Sequence, residues 1–156
     1  MTLHPISIRD ARPADLDVIV SFNGSLARET EGKALDRAVL TRGVAAALAD
    51  PQRLRYWIAE ETMTGEVVGQ AAVTCEWSDW RGGWLWWFQS VYVRADARGR
   101  GVFRSLHQAI RSTALESADV VGLRLYVEHE NADARRTYEA LGLTPGGYDV
   151  YEEIFA

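Results

Sequence analysis

A glycine-rich loop between a strand pattern and a helix pattern is the first group of residues whose types indicate chemistry. Residues 98–101 read Arg-Gly-Arg-Gly, directly before an amphipathic pattern that starts at Val102. Glycines let backbone N–H groups turn toward one point, and the first turn of a helix adds unsatisfied donors and a positive dipole end. With Arg98, Arg100 and Arg104 in the same segment, the loop predicts a polyanion site, such as one for a pyrophosphate. The alternative is a turn that needs glycine for its geometry and holds its arginines in solvent.

The common nucleotide-binding motifs do not account for this loop. A Walker loop requires Gly-Lys-Ser/Thr after four intervening residues, and the chain contains none. The dinucleotide fingerprint requires a third glycine where Arg104 stands, and it opens a parallel sheet. Here the loop follows a run of strands joined by short turns, which predicts an antiparallel meander.

A second motif covers residues 131–142. Asn131 is a good helix N-cap, Asp133 complements the helix dipole in the first turn, and Gly142 can form a left-handed C-terminal cap. Ala134 and Tyr138 are four residues apart and therefore share one face of the predicted helix. From the residues alone, Tyr138 can equally be a core tyrosine and Asn131 a cap without further function.

At these two motifs the chain resembles the GCN5-related N-acetyltransferase (GNAT) superfamily. The pyrophosphate motif of that family is Gln/Arg-x-x-Gly-x-Gly/Ala, which Arg98 and Gly101 match, whereas Phe103 stands in place of the usual small residue. The second family motif is matched by Asn131, Ala134, Tyr138 and Gly142, with Leu143 in place of Phe. The two motifs cover residues 84–143, and the strand and helix order upstream also fits.

The resemblance implies a fold for the whole chain. We expect one N-acetyltransferase domain over residues 1–156, with a mixed α/β (α+β) sheet that is mostly antiparallel, a splayed parallel pair and about four helices. Periodicity independently predicts strands at residues 6–9, 55–61, 66–77, 84–94 and 121–127. It predicts helices after Pro13 and at residues 35–48, 102–116 and 131–142, and two short final strands at 143–146 and 148–155.

The resemblance also implies acetyl-CoA as the cofactor and a direct attack by a primary amine in a ternary complex. The pantetheine arm is expected along the fourth strand, paired with the backbone at Val91 and Val93, while Tyr138 protonates the departing thiolate. A phenol with an ordinary pKa near 10 stays protonated at neutral pH. The full set of expected cofactor contacts is Val91, Tyr92, Val93, Arg98, Gly99, Arg100, Gly101, Val102, Phe103, Arg104, Asn131, Ala134 and Tyr138.

The general base is not evident, because the fourth strand carries no acidic residue. Glu76 on the neighbouring strand and Glu128 near the splay are the candidates for this role, and His129 is a further one. Each of them is equally consistent with a solvent-facing side chain. A water chain held by Gln89 and Ser90, or capture of the free fraction of the amine, is the alternative.

Five of the six tryptophans fall between residues 77 and 87, around the turn that precedes the fourth strand. Tryptophan faces attract cations, so this segment can line a pocket for an amine. We expect Trp80, Trp86, Gln89 and Ser90 to contact the acceptor. The alternative is ordinary packing of a wide sheet, including at a homodimer interface.

Composition limits the remaining classes. The chain has 156 residues, a net charge of −5 and one cysteine, Cys75. The acidic balance argues against sequence-independent nucleic-acid binding, and one cysteine excludes an internal disulfide and a cysteine-based zinc cluster. No apolar run approaches the roughly 20 residues that span a bilayer, and the first residues lack a signal-peptide pattern. We therefore expect a cytoplasmic protein with no membrane and no metal.

Two other functions stay open at this point. An acyl-CoA-binding sensor without turnover would fit a chain that has an acid and no evident base. A protein-interaction module would use the tryptophan-rich turn as its surface.

Overall fold

The computed structural model describes residues 5–155. Five strands form one mixed sheet in the order β1-β2-β3-β4-β5. They are β1 (Ile6–Asp10), β2 (Arg55–Glu61), β3 (Val67–Ser78), β4 (Gly83–Val93) and β5 (Val120–Leu125). The first four strands are antiparallel neighbours, and β5 runs parallel to β4. The predicted fold class is confirmed.

Residues 5–155 also form four α-helices. They are α1 (Leu16–Glu31), α2 (Arg37–Ala49), α3 (Val102–Glu116) and α4 (Ala132–Ala140). The described chain separates into two compact parts, one up to Tyr126 and one from Val127 onward, so α4 belongs to the second part. None of the helices in residues 5–155 has the length and apolar character needed to cross a bilayer.

The core of the first part lies on both faces of the sheet. Val102, Leu106 and Ile110, spaced by four on α3, are at most 2% exposed and pack on one face of the strands. On the opposite face, Ile19 of α1 and Val44 of α2 pack against the strands in a second cluster. Alternate residues of a strand point to opposite faces, which is why neighbouring β2 residues belong to different clusters.

Helix ends are set by local sequence. The side chain of Asp36 caps α2 by accepting a hydrogen bond from Val39 N at 3.0 Å. Gly32 ends α1 in the left-handed conformation, with φ 64°. Pro13 opens a short 3-10 helix (Pro13–Asp15) that leads into α1, so the predicted proline start is correct to within one turn.

The two final strands predicted at residues 143–146 and 148–155 are wrong. Residues 143–155 carry no strand in the structure. Pro145 has no N–H to donate to a ladder, and Gly147 adopts a φ of 77°, which a strand does not use. Tyr148, Tyr151 and Phe155 are between 78% and 94% exposed, so the alternation of apolar residues that predicted these strands has no buried face here.

Candidate active site

The loop between β4 and α3 has open space beside the backbone of its two glycines. After a 3-10 turn (Ala95–Ala97), Gly99 and Gly101 adopt φ values of 75° and 76°, and α3 begins at Val102. The first backbone bond of this turn runs from Ser105 N to Gly101 O at 3.0 Å, so the earlier amides precede the helical ladder. A Cβ on Gly99 or Gly101 would meet no non-neighbouring heavy atom of residues 5–155 within 4 Å. The space beside these glycines is therefore open, and it lies at the positive end of the α3 dipole.

Two of the loop arginines are tied to carboxylates of other elements. Arg98 binds Glu29 of α1 and donates from Nε to Val93 O at 3.0 Å. The Arg98 guanidinium lowers the pKa of Glu29, whose other oxygen accepts a 3.0 Å bond from the Tyr92 hydroxyl. Arg100 pairs with Glu61 of β2 at 2.7 Å, and both side chains are largely buried. These two ion pairs anchor the loop. The alternative in which all of the loop arginines simply lie in solvent is therefore wrong.

Arg104 differs from the other two. It lies in the first turn of α3 and is exposed, and no carboxylate of residues 5–155 forms an ion pair with it. Its charge is therefore available to an anion beside the loop.

Phe103, the departure from the family motif, is half-buried and lies beside two other aromatic rings. Its ring packs edge-on to Phe88 with centroids 6.2 Å apart and lies 6.3 Å from the His107 ring. The His107 ring is buried, which lowers its pKa. Phe103 thus contacts aromatic side chains of β4 and α3, while the space beside Gly99 and Gly101 is open.

The end of β4 near the loop is free on one side. Pairing between β4 and β5 stops at Phe88 and Leu125, while β4 continues to Val93. Within residues 5–155 no strand pairs with that edge of β4 beyond Phe88. The side chains of Val91 and Val93 pack against the α3 core, and both residues lie in the stretch of β4 that β5 does not pair with.

A β-bulge interrupts β4 at the same place. Gln70 of β3 pairs with Tyr92 and Ala72 pairs with Gln89, so Ala71 faces two residues, Ser90 and Val91. Ser90 has a φ of 49°, which makes it the one non-glycine residue with positive φ in the described chain. The bulge keeps Tyr92 on the α1 face, where its ring lies 5.0 Å from that of Phe22.

Polar and aromatic side chains lie together on the sheet beside this bulge. Gln89 Nε2 is 3.5 Å from Thr74 Oγ1. Trp87 stacks on Tyr126 with ring centroids 4.5 Å apart, and the Arg124 guanidinium lies 5.6 Å from the Trp87 ring centroid.

Glu76, a candidate base, lies on the same face and is exposed. It accepts a 3.3 Å bond from Arg124 Nη1. Glu76 and Thr74 are alternate residues of β3, so their side chains point to the same face of the sheet. Gln89 lies on the neighbouring strand, β4.

The predicted acceptor tryptophans are placed differently from one another. Trp86 is 9% exposed and packs against Trp57 with ring centroids 6.1 Å apart. Its indole therefore belongs to the α3 core and, in contrast to the prediction from the sequence, is not on an open acceptor surface. Trp80 is 87% exposed at the β3–β4 turn. Trp77 stacks edge-on against Trp84. Trp87 is the tryptophan on the face of Gln89, because the alternation of β4 puts it opposite Trp86.

The second part of the chain holds the other motif. Asn131 Oδ1 accepts a 3.1 Å bond from Ala134 N, so its side chain caps α4. Tyr138 follows Ala134 by one turn, is half-buried, and its pKa is raised by burial. Glu128 Oε2 accepts a 2.8 Å bond from Glu130 N and thereby shapes the turn before α4, while His129 lies 3.6 Å from Asp149.

Comparisons with known proteins show the family and the fold of the chain. The model of the acetyltransferase (GNAT) family matches residues 23–143. The chain belongs to the GNAT family. A solved structure from Clostridium difficile 630, described as a possible acetyltransferase, is 45% identical with a TM-score of 0.88, covering 97% of this chain and 98% of that one.

Two further relatives are either less similar in sequence or aligned over only part of the chain. A solved structure from Clostridium acetobutylicum, described as a predicted acetyltransferase with acetyl-CoA, has a TM-score of 0.77 at 20% identity. The comparison covers 96% of each chain and supports the fold. Streptothricin acetyltransferase from Escherichia coli is 31% identical over 86 residues, which are 55% of this chain and 46% of that protein. The alignment thus spans about half the length of this curated relative.

The placement of two residues in this region depends on the folded sheet. Strand alternation points Trp87 away from Trp86, but only the sheet register shows which of them faces the helix core. Gln70 is fully buried next to the bulge. A polar residue in an otherwise apolar stretch of β3 was the signal that could have indicated it.

Proposed function

We propose that the protein is an acetyl-CoA-dependent N-acetyltransferase that acts on a small-molecule primary amine in a ternary complex. The observation that carries this proposal is the open glycine loop at the start of α3, placed directly after the free edge of β4. A diphosphate fits the first feature, and an extended amide-containing arm fits the second.

The residues that would hold acetyl-CoA follow from their backbone and charge. Amides of residues 99–104 would bind the diphosphate, with Arg104 adding a charge and Arg98 and Arg100 anchoring the loop from behind. The Val91 carbonyl and the backbone of Val93 would pair with the pantetheine amides, which leaves the Val91 N–H for the reacting carbonyl. Asn131 and Ala134 complete the proposed contacts, by their match to the family motif.

The reaction exchanges one bond for another. The amine nitrogen forms a bond to the acetyl carbon, and the carbon–sulfur bond breaks to give free CoA. We assign the Val91 N–H to the developing oxyanion, since preorganised backbone donors stabilise such charge. Tyr138 gives its proton to the sulfur, and burial keeps that phenol protonated because it raises its pKa above the ordinary value.

Glu76 is our choice for accepting the amine proton, with Glu128 as the alternative. Glu76 shares the sheet face of Gln89, Thr74 and Trp87, where an acceptor could reach the bulge. We place Gln89, Ser90, Trp87 and the exposed Trp80 on the acceptor side. The E. coli relative is named for streptothricin, and we carry over its reaction class and not its acceptor.

Release of CoA in the presence of an amine panel tests this function. We expect thiol release that requires both acetyl-CoA and an amine, and that rises between pH 6 and 9 as the free amine accumulates. Because the pKa of Tyr138 is raised, its deprotonation should cause no loss of turnover in this range. CoA binding without thiol release for any amine would favour the sensor, and a flat pH profile would contradict rate-limiting amine attack.

Arg104→Gln is expected to weaken CoA binding by about tenfold at low salt, since a hydrogen bond to a charged group contributes about 1.5–3 kcal/mol. The difference between variant and wild type should shrink as ionic strength rises. Titration calorimetry at two salt concentrations measures both effects. Arg111→Gln, also exposed on α3 but two turns away, is the control, and an equal loss there would remove Arg104 from the site.

A further inference from the structure

A buried chain of polar side chains ends at the bulge of β4. Gln70 Nε2 donates to Ser90 O at 3.0 Å and to Asn23 Oδ1 at 2.7 Å. Asn23 Nδ2 in turn donates to the Tyr56 hydroxyl at 3.2 Å. Gln70 is 0% exposed, Asn23 7% and Tyr56 4%, so the chain links β4, β3, α1 and β2 through the interior.

The orientation of the Gln70 amide follows from its partners. Ser90 O is a backbone carbonyl and can only accept, so the nitrogen of Gln70 must face it. Both hydrogens of that nitrogen are used, on Ser90 and on Asn23. Gln70 Oε1 is left buried and without a hydrogen-bond partner within residues 5–155. Buried polar atoms are normally hydrogen-bonded. Because the Gln70 side chain binds the Ser90 carbonyl while its own oxygen has no partner, we infer that its role is to hold the bulge.

The bond to Ser90 O also sets the direction of the next amide. The peptide between Ser90 and Val91 is planar and trans, so its N–H points opposite to its carbonyl. With the carbonyl held by Gln70, the Val91 N–H points away from Gln70. Val91 lies beyond Phe88, where β4 has lost its partner β5. This N–H is the donor that we assign to the oxyanion.

We propose that Gln70 is a positioning residue for the acetyl transfer, which holds the Val91 N–H in place by binding the carbonyl of Ser90. The inference rests on the proposed function. Ser90 has an unfavourable φ of 49°, and the bulge therefore needs an external restraint to stay in one conformation. Asn23 orients Gln70 by accepting the second hydrogen of its amide nitrogen.

The test replaces the donor and leaves the volume. In Gln70→Met, kcat should fall by about 10- to 100-fold, part of the loss reported for removing an oxyanion donor entirely. The KM for acetyl-CoA should stay within about threefold, because the loop amides are untouched. The Val91 amide should also shift in a 15N–1H spectrum of the free protein.

The matched control is Tyr56→Phe, which removes the far end of the chain and keeps the Gln70–Ser90 bond. The melting temperature of Tyr56→Phe should fall, yet its kcat and the chemical shift of its Val91 amide should stay close to those of the wild type. If Gln70→Met does not fold, Gln70→Asn replaces it with the same expectation, since it retains an amide that is one methylene too short for both partners.

The outcomes separate this inference from the proposed function. A wild type that binds CoA without any turnover would end the proposed function, while the Val91 shift would still report on the restraint. A wild type that turns over, with a folded Gln70 variant of equal kcat and an unshifted Val91 amide, would overturn the role of Gln70. Equal kcat losses in Gln70→Met and Tyr56→Phe would show that the buried polar side chains have only a structural role.

Discussion

A Tyr138→Phe variant is expected to lose about 100-fold or more in kcat, within the range that positioned acid–base groups contribute. A CoA thiolate is a poorer leaving group than the protonated thiol, and the phenol is the group that we assign to protonate it. Phenylalanine keeps the ring and removes that proton. Since the transition state loses the interaction, kcat and kcat/KM should fall together while the affinity for CoA changes little.

Steady-state kinetics with saturating amine, together with calorimetry of CoA binding, measure these two quantities. Tyr151→Phe is the matched control, because Tyr151 lies in the same part of the chain, is 94% exposed and loses the same hydroxyl. It should retain wild-type kcat. Equal activity in Tyr138→Phe and wild type would remove Tyr138 from the mechanism.

A Gly101→Trp variant is expected to raise the Kd for acetyl-CoA by about 100-fold or more, the equivalent of losing one to two charge-assisted hydrogen bonds. The new Cβ meets no non-neighbouring heavy atom of residues 5–155 within 4 Å, so the attachment point of the side chain causes no clash. It would instead enter the open space in front of the loop amides. The positive φ adds strain of about 1–3 kcal/mol, which lowers stability but not affinity by itself.

Gly82→Trp separates strain from occlusion. Gly82 lies in the β3–β4 turn with a φ of 61° and equally open surroundings, at the other end of β4 from the loop. Both variants should lose similar stability in thermal melts, while only Gly101→Trp should lose affinity for acetyl-CoA. Unchanged affinity in folded Gly101→Trp would count against the loop as the diphosphate site.

The sequence predicted most accurately what depends on neighbouring residues. The helix at 102–116 has the predicted bounds, because its spacing by four and the glycine before it are local signals. The cap at Asn131 is present for the same reason. The prediction of the final strands is wrong because alternation alone cannot show whether a partner strand exists, and because Pro145 and Gly147 oppose a regular strand.

The parts of the site that sequence could not provide depend on register. Arg100 and Glu61 form an ion pair although they are 39 positions apart in the sequence, and no local sequence pattern predicts it. The bulge at Ser90 carries no glycine and therefore no signal for positive φ. The burial of Trp86 and the opposite placement of Trp87 became clear only when β3, β4 and α3 fixed which face is the core.

A crystal structure of the protein with CoA is the most direct test of the central claim. The account predicts the diphosphate on the backbone amides of residues 99–104, with the pantetheine arm along β4 at Val91 and Val93 and the sulfur within reach of the Tyr138 hydroxyl. Density for the diphosphate at another place, or a Tyr138 hydroxyl far from the sulfur, would contradict it.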